Sequence, residues 1–294
     1  MPGPKTPSRA APREIPKKMS NPAEELRTVE AAWSQVAERY EKYWSPRLRP
    51  YVHEALGAFA PPTQGPLLVA GCGPGEELEL LARRFPGRPI VGTDLSPAMV
   101  ALARRRVKEA GLASVLVDRD DAALSSSRLN QGAGVFSSFI LQLLPDPVAA
   151  LEAWTRVLRT GGCLLALFWP RADDASPVAR LQRILREAGL GREDDWEPRA
   201  IETLCAHGLD LRADRRLEFE MAHASPKEFW NELVESGPLQ AAARRSDKET
   251  LDLAGKRWLE DHGLERRGAE WVHRPAARLW VFERNVEPLS EEGH

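Results

Sequence analysis

The sequence predicts an α/β fold, a mostly parallel sheet with helices on both faces. Three observations carry that prediction. Short apolar runs alternate with amphipathic stretches between residues 67 and 169. The connections between them are short, as in strand–helix–strand units. A glycine-dense turn also separates the first apolar run from the first amphipathic one, and an aspartate follows at the end of the second run.

The elements follow in order. Gly65-Pro66 is a breaker pair, and Leu67-Leu68-Val69-Ala70 behind it is uninterrupted and apolar, a buried strand. After the turn, Leu78, Leu80, Leu81 and Ala82 recur at helical spacing until Pro86-Gly87. Strands are expected at 67–70, 89–93, 114–118, 133–137 and 162–169. Helices are expected at 76–84, at 97–110 capped by Ser96, and at 147–158 capped by Asp146. The last third is harder to read: helices at 176–188, 197–206, 226–234 and 248–262, a strand at 211–221, and a final strand at 279–282 hairpinned with 269–273.

The turn Gly71-Cys72-Gly73-Pro74-Gly75 places bare backbone amides between a strand and a helix, where an adenine-nucleoside cofactor can approach. Asp94 lies nineteen residues past Gly75, about the ~20-residue offset at which an acid meets a ribose hydroxyl in this architecture. The glycine spacing is G-x-G-x-G, unlike the G-x-G-x-x-G of dinucleotide binders.

At these residues the chain resembles the class I S-adenosylmethionine (SAM)-dependent methyltransferases, in particular their ubiquinone/menaquinone-biosynthesis-like, small-molecule branch. Val91 to Met99 is similar to the family's second-strand motif, and Arg119 to Leu124 to its adenine-contacting loop. Ser137 to Asp146 resembles the fourth-strand segment, with Gln142 where histidine is common, and Leu158 to Leu165 resembles the turn into strand five. The likeness runs from about residue 30 to residue 285. It implies a Rossmann-like seven-stranded sheet whose last strand is antiparallel, with a helical cap over residues 21–60. The methyltransferase domain would span 61–285, a SAM-binding half at 61–170 and a substrate half at 171–285.

By this resemblance Asp94 holds both ribose hydroxyls and Asp120 the adenine amino group, with Asp118 and Asp121 as rivals. Gly71, Cys72, Gly73, Gly75, Leu95, Met99, Ser137 and Ser138 complete the cofactor site. The family usually carries an acid two residues before the first glycine, where this chain has Val69. That acid helps orient the methionine amino group. Glu76 and Glu77 either compensate or simply complement the helix dipole.

Composition fits a globular enzyme of 294 residues, 43% apolar and 29% charged. A formal charge of −2 gives no general pull toward nucleic acid or anionic membrane. The longest uncharged apolar runs, such as Cys163 to Pro170, are too short to cross a bilayer. Cys72, Cys163 and Cys205 are scattered without metal-ligand spacing, which predicts reduced thiols in a cytoplasm. The basic, proline-rich residues 1–20 read as a disordered tail that leaves Met19 open as a start, and 286–294 as a polar tail.

From Pro22, Leu26, Val29, Trp33, Val36 and Tyr40 fall at helical spacing, and all the tyrosines, Tyr40, Tyr43 and Tyr51, lie nearby. As a cap this helix is expected to work as a lid, so that removing residues 1–60 costs turnover more than cofactor binding. Tyr40, Trp44, Phe139, Leu143 and Trp169, with Phe168 beside them, predict a pocket for a flat or apolar small molecule.

Methyl transfer from a sulfonium needs in-line positioning and exclusion of water, and a base only for a protonated acceptor. His223, placed just beyond the carboxyl end of the 211–221 strand, and His53 on the cap are the candidate bases, with a pH limb near ~6.5 expected for His223. A SAM-binding regulator or scaffold and a nucleic-acid methyltransferase remain as alternatives. The latter is disfavoured by Ser137-Ser138-Phe139-Ile140 in place of the segment that grips a flipped base.

Overall fold

The computed structural model describes residues 22–123, 131–171, 176–190, 195–237, 239–240 and 246–285. The expectations for residues 1–20, Leu124 and 286–294 lie outside them. Helix α1 (Pro22–Ala58) leads into β1 (Leu67–Ala70), α2 (Glu76–Arg84), β2 (Ile90–Asp94), α3 (Pro97–Glu109), β3 (Val115–Arg119) and β4 (Gly132–Ser138). Then come α4 (Pro147–Val157), β5 (Leu158–Phe168), α5 (Pro177–Glu187), α6 (Glu197–Ala206), β6 (Leu209–Glu218) and β7 (Met221–His223). The chain ends with α7 (Pro226–Glu235), α8 (Lys248–Glu260), β8 (Glu265–Arg267), β9 (Glu270–His273) and β10 (Ala276–Arg284).

Seven strands form one sheet in the order β3-β2-β1-β4-β5-β10-β6. The first five run parallel, and β10 lies antiparallel between β5 and β6. Every residue of β1 is buried, since helices cover both faces, and so this strand shows no alternation in sequence. The order reverses beside β1, which pairs with β2 on one side and β4 on the other. A crevice therefore opens at the carboxyl ends of these strands, where Gly71, Asp94, Asp120 and Ser138 cluster.

Helix starts follow local chemistry. Ser96 Oγ accepts from Met99 N at 3.2 Å and Asp146 Oδ1 from Ala149 N at 3.0 Å, each with proline in the first turn. Strand β5 begins earlier than expected, at Leu158, because a register irregularity at Gly132/Gly134 absorbs the Gly161-Gly162 turn.

Three expectations change. The strand foreseen at 211–221 divides into β6 and β7, and β7 joins a second sheet of order β7-β9-β8. Residues 270–273 pair there with β7 and β8, and not in a hairpin with β10. Their register puts His223 opposite Trp271 and Met221 opposite His273.

The third change concerns the cap. Tyr51 and Ala55 of α1 are fully buried, and Phe59 just beyond it packs on Phe136 with ring centroids 5.4 Å apart. Tyr51 Oη donates to Pro275 O at 2.6 Å and accepts from Phe219 N at 3.1 Å. A segment this deep in the core cannot be removed as a lid. Large-to-small changes at such sites alone cost about 3–5 kcal/mol, so deleting residues 1–60 is expected to cost stability as well as turnover.

Candidate functional site

Two adjoining hollows lie at the carboxyl ends of the strands. The smaller is a groove at the glycine turn, lined by Tyr40, Ser45, Leu48, Gly71, Cys72, Gly73, Pro74, Glu76, Glu77, Ser138 and Phe139. Gly71 and Gly75 have φ of +72° and +86°, and a Cβ would stand 2.3 Å from Ile140 Cδ1 at the first and 2.9 Å from Ala103 at the second. Only glycine allows both this backbone and this approach of α3. The groove therefore keeps a bare-backbone floor.

Asp94 ends β2 and fixes that turn, with Oδ2 accepting from Gly73 N at 3.0 Å and Oδ1 from Ser96 N at 2.9 Å. Each oxygen retains a further lone pair for a ligand hydroxyl. Burial raises the Asp94 pKa to about 6, against the lowering effect of those two amides. Asp120 Oδ1 accepts from Asp121 N at 3.0 Å and Asp121 Oδ1 from Ala123 N at 2.9 Å, so both carboxylates shape the loop after β3. Leu95 is half-buried, while Met99 is buried in a small cluster with Ala37 and Leu102 beneath α1.

The two serines separate. Ser138 lines the groove and its Oγ donates to Glu77 Oε1 at 2.7 Å. Ser137, assigned to the cofactor from sequence, is buried and its Oγ donates to Ala70 O at 3.3 Å. The strand alternation that brings one serine to the groove turns the other away.

The larger hollow, about 360 Å³, is lined mainly by apolar and aromatic side chains, among them Trp33, Trp44, Leu143, Trp169, Leu181 and Phe229. Its polar lining is sparse: Gln142, Arg171, Gln182, Arg186, Glu197 and His273. Tyr40, Leu48 and Phe139 line both hollows and form the wall between them. All five expected pocket residues, Tyr40, Trp44, Phe139, Leu143 and Trp169, meet here. Phe168 does not, because alternation along β5 sends it to Trp196 and Trp280 on the opposite face.

Phe139 is unusual in its backbone, with φ of +54°. Its amide donates to Leu167 O at 2.6 Å, and its ring lies 4.7 Å from that of Trp169. A bulky residue held in this region is strained by about 1–3 kcal/mol, which a site tolerates when the geometry serves it. Here the strain swings an aromatic ring into the wall between groove and cavity.

The histidine expectations fail on position. His223 lies in β7, 1% exposed, with Nδ1 2.7 Å from Tyr43 Oη and Nε2 3.1 Å from His273 Nε2. Burial first, then His273 and Arg47, push its pKa down to about 3, so it does not titrate near 6.5. His53 is exposed on α1 and borders neither hollow. Sequence reasoning passed over His273, which does line the cavity and whose pKa burial lowers to about 4. Leu48 and Ser45 were also missed; Leu48 lies four residues past Trp44 and Ser45 three before Leu48, so helical spacing alone could have suggested them.

The comparisons with known proteins agree with this geometry. A family model described as a methyltransferase domain matches residues 67–162. Over this third of the chain the sequence resembles a methyltransferase domain. A trans-aconitate 2-methyltransferase of Variovorax paradoxus is 33% identical over 144 residues, 49% of this chain and 52% of that protein. One from Rhodopseudomonas palustris is 31% identical over 173 residues, 56% of this chain and 59% of the other. The chain thus spans about half the length of the curated relatives it matches. The YcgJ protein of Bacillus subtilis shares the fold at a TM-score of 0.57 with 14% identity, over 80% of this chain and 99% of that one. Among the described residues no helix is long and apolar enough to cross a membrane.

Proposed function

We propose that this protein transfers a methyl group from SAM to a small molecule with an apolar or aromatic body. The observation that carries this reading is the contiguity of the two hollows: a polar, glycine-floored groove and an apolar cavity meet at Tyr40, Leu48 and Phe139. The groove fits the cofactor of the family. Its floor admits a nucleoside, Asp94 offers lone pairs toward a ribose, and Glu77 offers a carboxylate toward a cation. When bound, SAM supplies an electrophilic methyl on a sulfonium with a neutral leaving group.

The protein's part is then positioning. Phe139, Trp169 and Trp44 present flat apolar faces that order an acceptor and keep water from the reacting atoms. The histidine that lines the cavity, His273, and its neighbour His223 have pKa values pushed well below neutrality by burial. That suits an acceptor that already carries its nucleophilic lone pair.

The trans-aconitate relatives act on a small polycarboxylate. In this chain Arg171 and Arg186 are the cationic residues described around the cavity, and Glu197 stands with them. Such a lining is poorly matched to several carboxylates, each of which needs a charge-assisted partner when buried. The test is methyl transfer from radiolabelled SAM to a panel of aromatic and aliphatic hydroxy, amino and thiol compounds, with trans-aconitate included. Turnover of apolar members well above trans-aconitate is expected. Preference for trans-aconitate would overturn the acceptor class, and cofactor binding with no transfer to any member would favour a regulatory SAM-binding protein.

A further inference from the structure

The groove contains two neighbouring acids in different circumstances. Glu76 is ion-paired with Arg49 of α1. Glu77, one residue on, faces the groove with Ser138 Oγ as its hydrogen-bond partner, and no ion pair to it occurs among the described residues. A carboxylate held away from water without a cation is costly, and it is stabilised when a cationic ligand arrives. We infer that Glu77, with Ser138 positioning it, is the anchor for the α-ammonium of the cofactor's amino-acid end, taking over from the acid that Val69 replaces. This rests on the reading of the groove as a SAM site.

The geometry orders the groove. Asp94 marks the ribose end, at the carboxyl end of β2. The reacting methyl must reach the acceptor cavity, so the sulfur belongs at the wall formed by Tyr40, Leu48 and Phe139. Ser138 and Glu77 stand beside Phe139 in that groove, where the amino-acid end continues. Val69 cannot serve, being apolar and buried in β1. Glu76 is already neutralised by Arg49.

A consequence is proton release. Burial is the main cause that lifts the Glu77 pKa to about 7, with Glu76 adding to it and Ser138 and Arg106 opposing. The other groups around it are Tyr40 of α1, raised by burial and by Glu77 itself, Cys72 of the glycine turn, and Asp94 of β2. Arg106 is shared with Glu41 and Glu79. An arriving ammonium favours the ionised carboxylate, so part of the population sheds a proton on binding near neutral pH.

The test is calorimetry with SAM, with S-adenosylhomocysteine, which keeps the ammonium but lacks the sulfonium, and with 5′-methylthioadenosine, which lacks the amino-acid end. Glu77→Gln should weaken S-adenosylhomocysteine by about 10- to 100-fold and leave 5′-methylthioadenosine within about twofold. The wild type, titrated at pH 7 in buffers of different ionisation enthalpy, should release more protons with S-adenosylhomocysteine than with 5′-methylthioadenosine. That measurement needs no variant and stands even where Glu77→Gln folds poorly. Equal proton release with both ligands overturns the inference, as does a Glu77→Gln protein that binds S-adenosylhomocysteine as tightly as the parent. A loss confined to SAM would assign Glu77 to the sulfonium instead, which also overturns it. Failure of the wild type to bind any of the three ligands would sink the SAM reading itself, a separate outcome.

Discussion

Replacing Glu77 by Gln should stabilise the ligand-free protein at pH 8 and do little at pH 5. The carboxyl pKa rises from an ordinary 4.5 to about 7 on folding. A raised pKa favours the protonated form in the fold, so this group's stabilising contribution is present below about pH 4.5 and is lost as pH rises through about 7. The difference of roughly 2.5 units, at ~1.36 kcal/mol each, bounds the loss at about 3 kcal/mol. Gln keeps an oxygen to accept from Ser138 Oγ and does not titrate, so it escapes that loss. For a chain of this size each kcal/mol moves the melting point by about 2 °C. The melting point of Glu77→Gln relative to the parent should therefore climb by about 4–6 °C between pH 5 and pH 8. Asp94, whose pKa is also raised, is present in both proteins and cancels. Differential scanning calorimetry without ligand reads the effect directly. A variant that tracks the parent at constant offset across this range would refute the argument, since it would mean that Glu77 ionises in the fold as it does in water.

Three further outcomes follow from the same geometry. Asp94→Ala removes the acceptor for Gly73 N and Ser96 N as well as the ribose contact, and should cut S-adenosylhomocysteine affinity at least tenfold, at about 1.5–3 kcal/mol per charge-assisted bond; calorimetry showing parental affinity would remove Asp94 from the site. Leu181→Trp fills the acceptor cavity from α5 without touching the groove, so methyl transfer should drop tenfold or more while S-adenosylhomocysteine binding stays within about twofold; transfer at the parental rate would place the acceptor elsewhere. His223→Ala should leave no missing limb near pH 6.5 in the rate profile, and should instead destabilise by about 2–4 kcal/mol, because Tyr43 Oη and His273 Nε2 lose their buried partner; a flattened acid limb with unchanged melting would restore His223 as a base.

Much of the cofactor half was legible because its signals are local. The Gly71 to Gly75 turn, the Asp94 offset, the Ser96 and Asp146 caps and the uninterrupted β1 each follow from a few adjacent residues. The acceptor half depends on long-range register. Nothing in Met221-Ala222-His223 says whether it extends β6 or crosses to a second sheet, and the pairing of Ala222 with Val272 decides it. The same crossing buries His223, so one misplaced strand end became one misassigned base. The pair Ser137-Ser138 shows the opposite case, where the period of two was available and would have separated the groove serine from the buried one. α1 misled for a different reason. Its amphipathic spacing is that of a surface helix, yet Tyr51 and Ala55 sit in the core because β10 and the small sheet close over them.

These placements bear on one another. A chain without the strand acid at Val69 can still bind a cationic cofactor if the carboxylate moves to the helix start, and the structure offers one that is half-buried in the groove, held by Ser138 and without an ion pair among the described residues. The relocation sets Glu77 in the same groove as Phe139, so cofactor anchoring and the wall of the acceptor cavity become physically adjacent. The left-handed backbone of Phe139 goes with a ring that lines both hollows. Burial in the small sheet pushes the pKa values of His223 and His273 well below neutrality, so the proposed transfer at this junction depends on how closely that wall brings methyl and acceptor together.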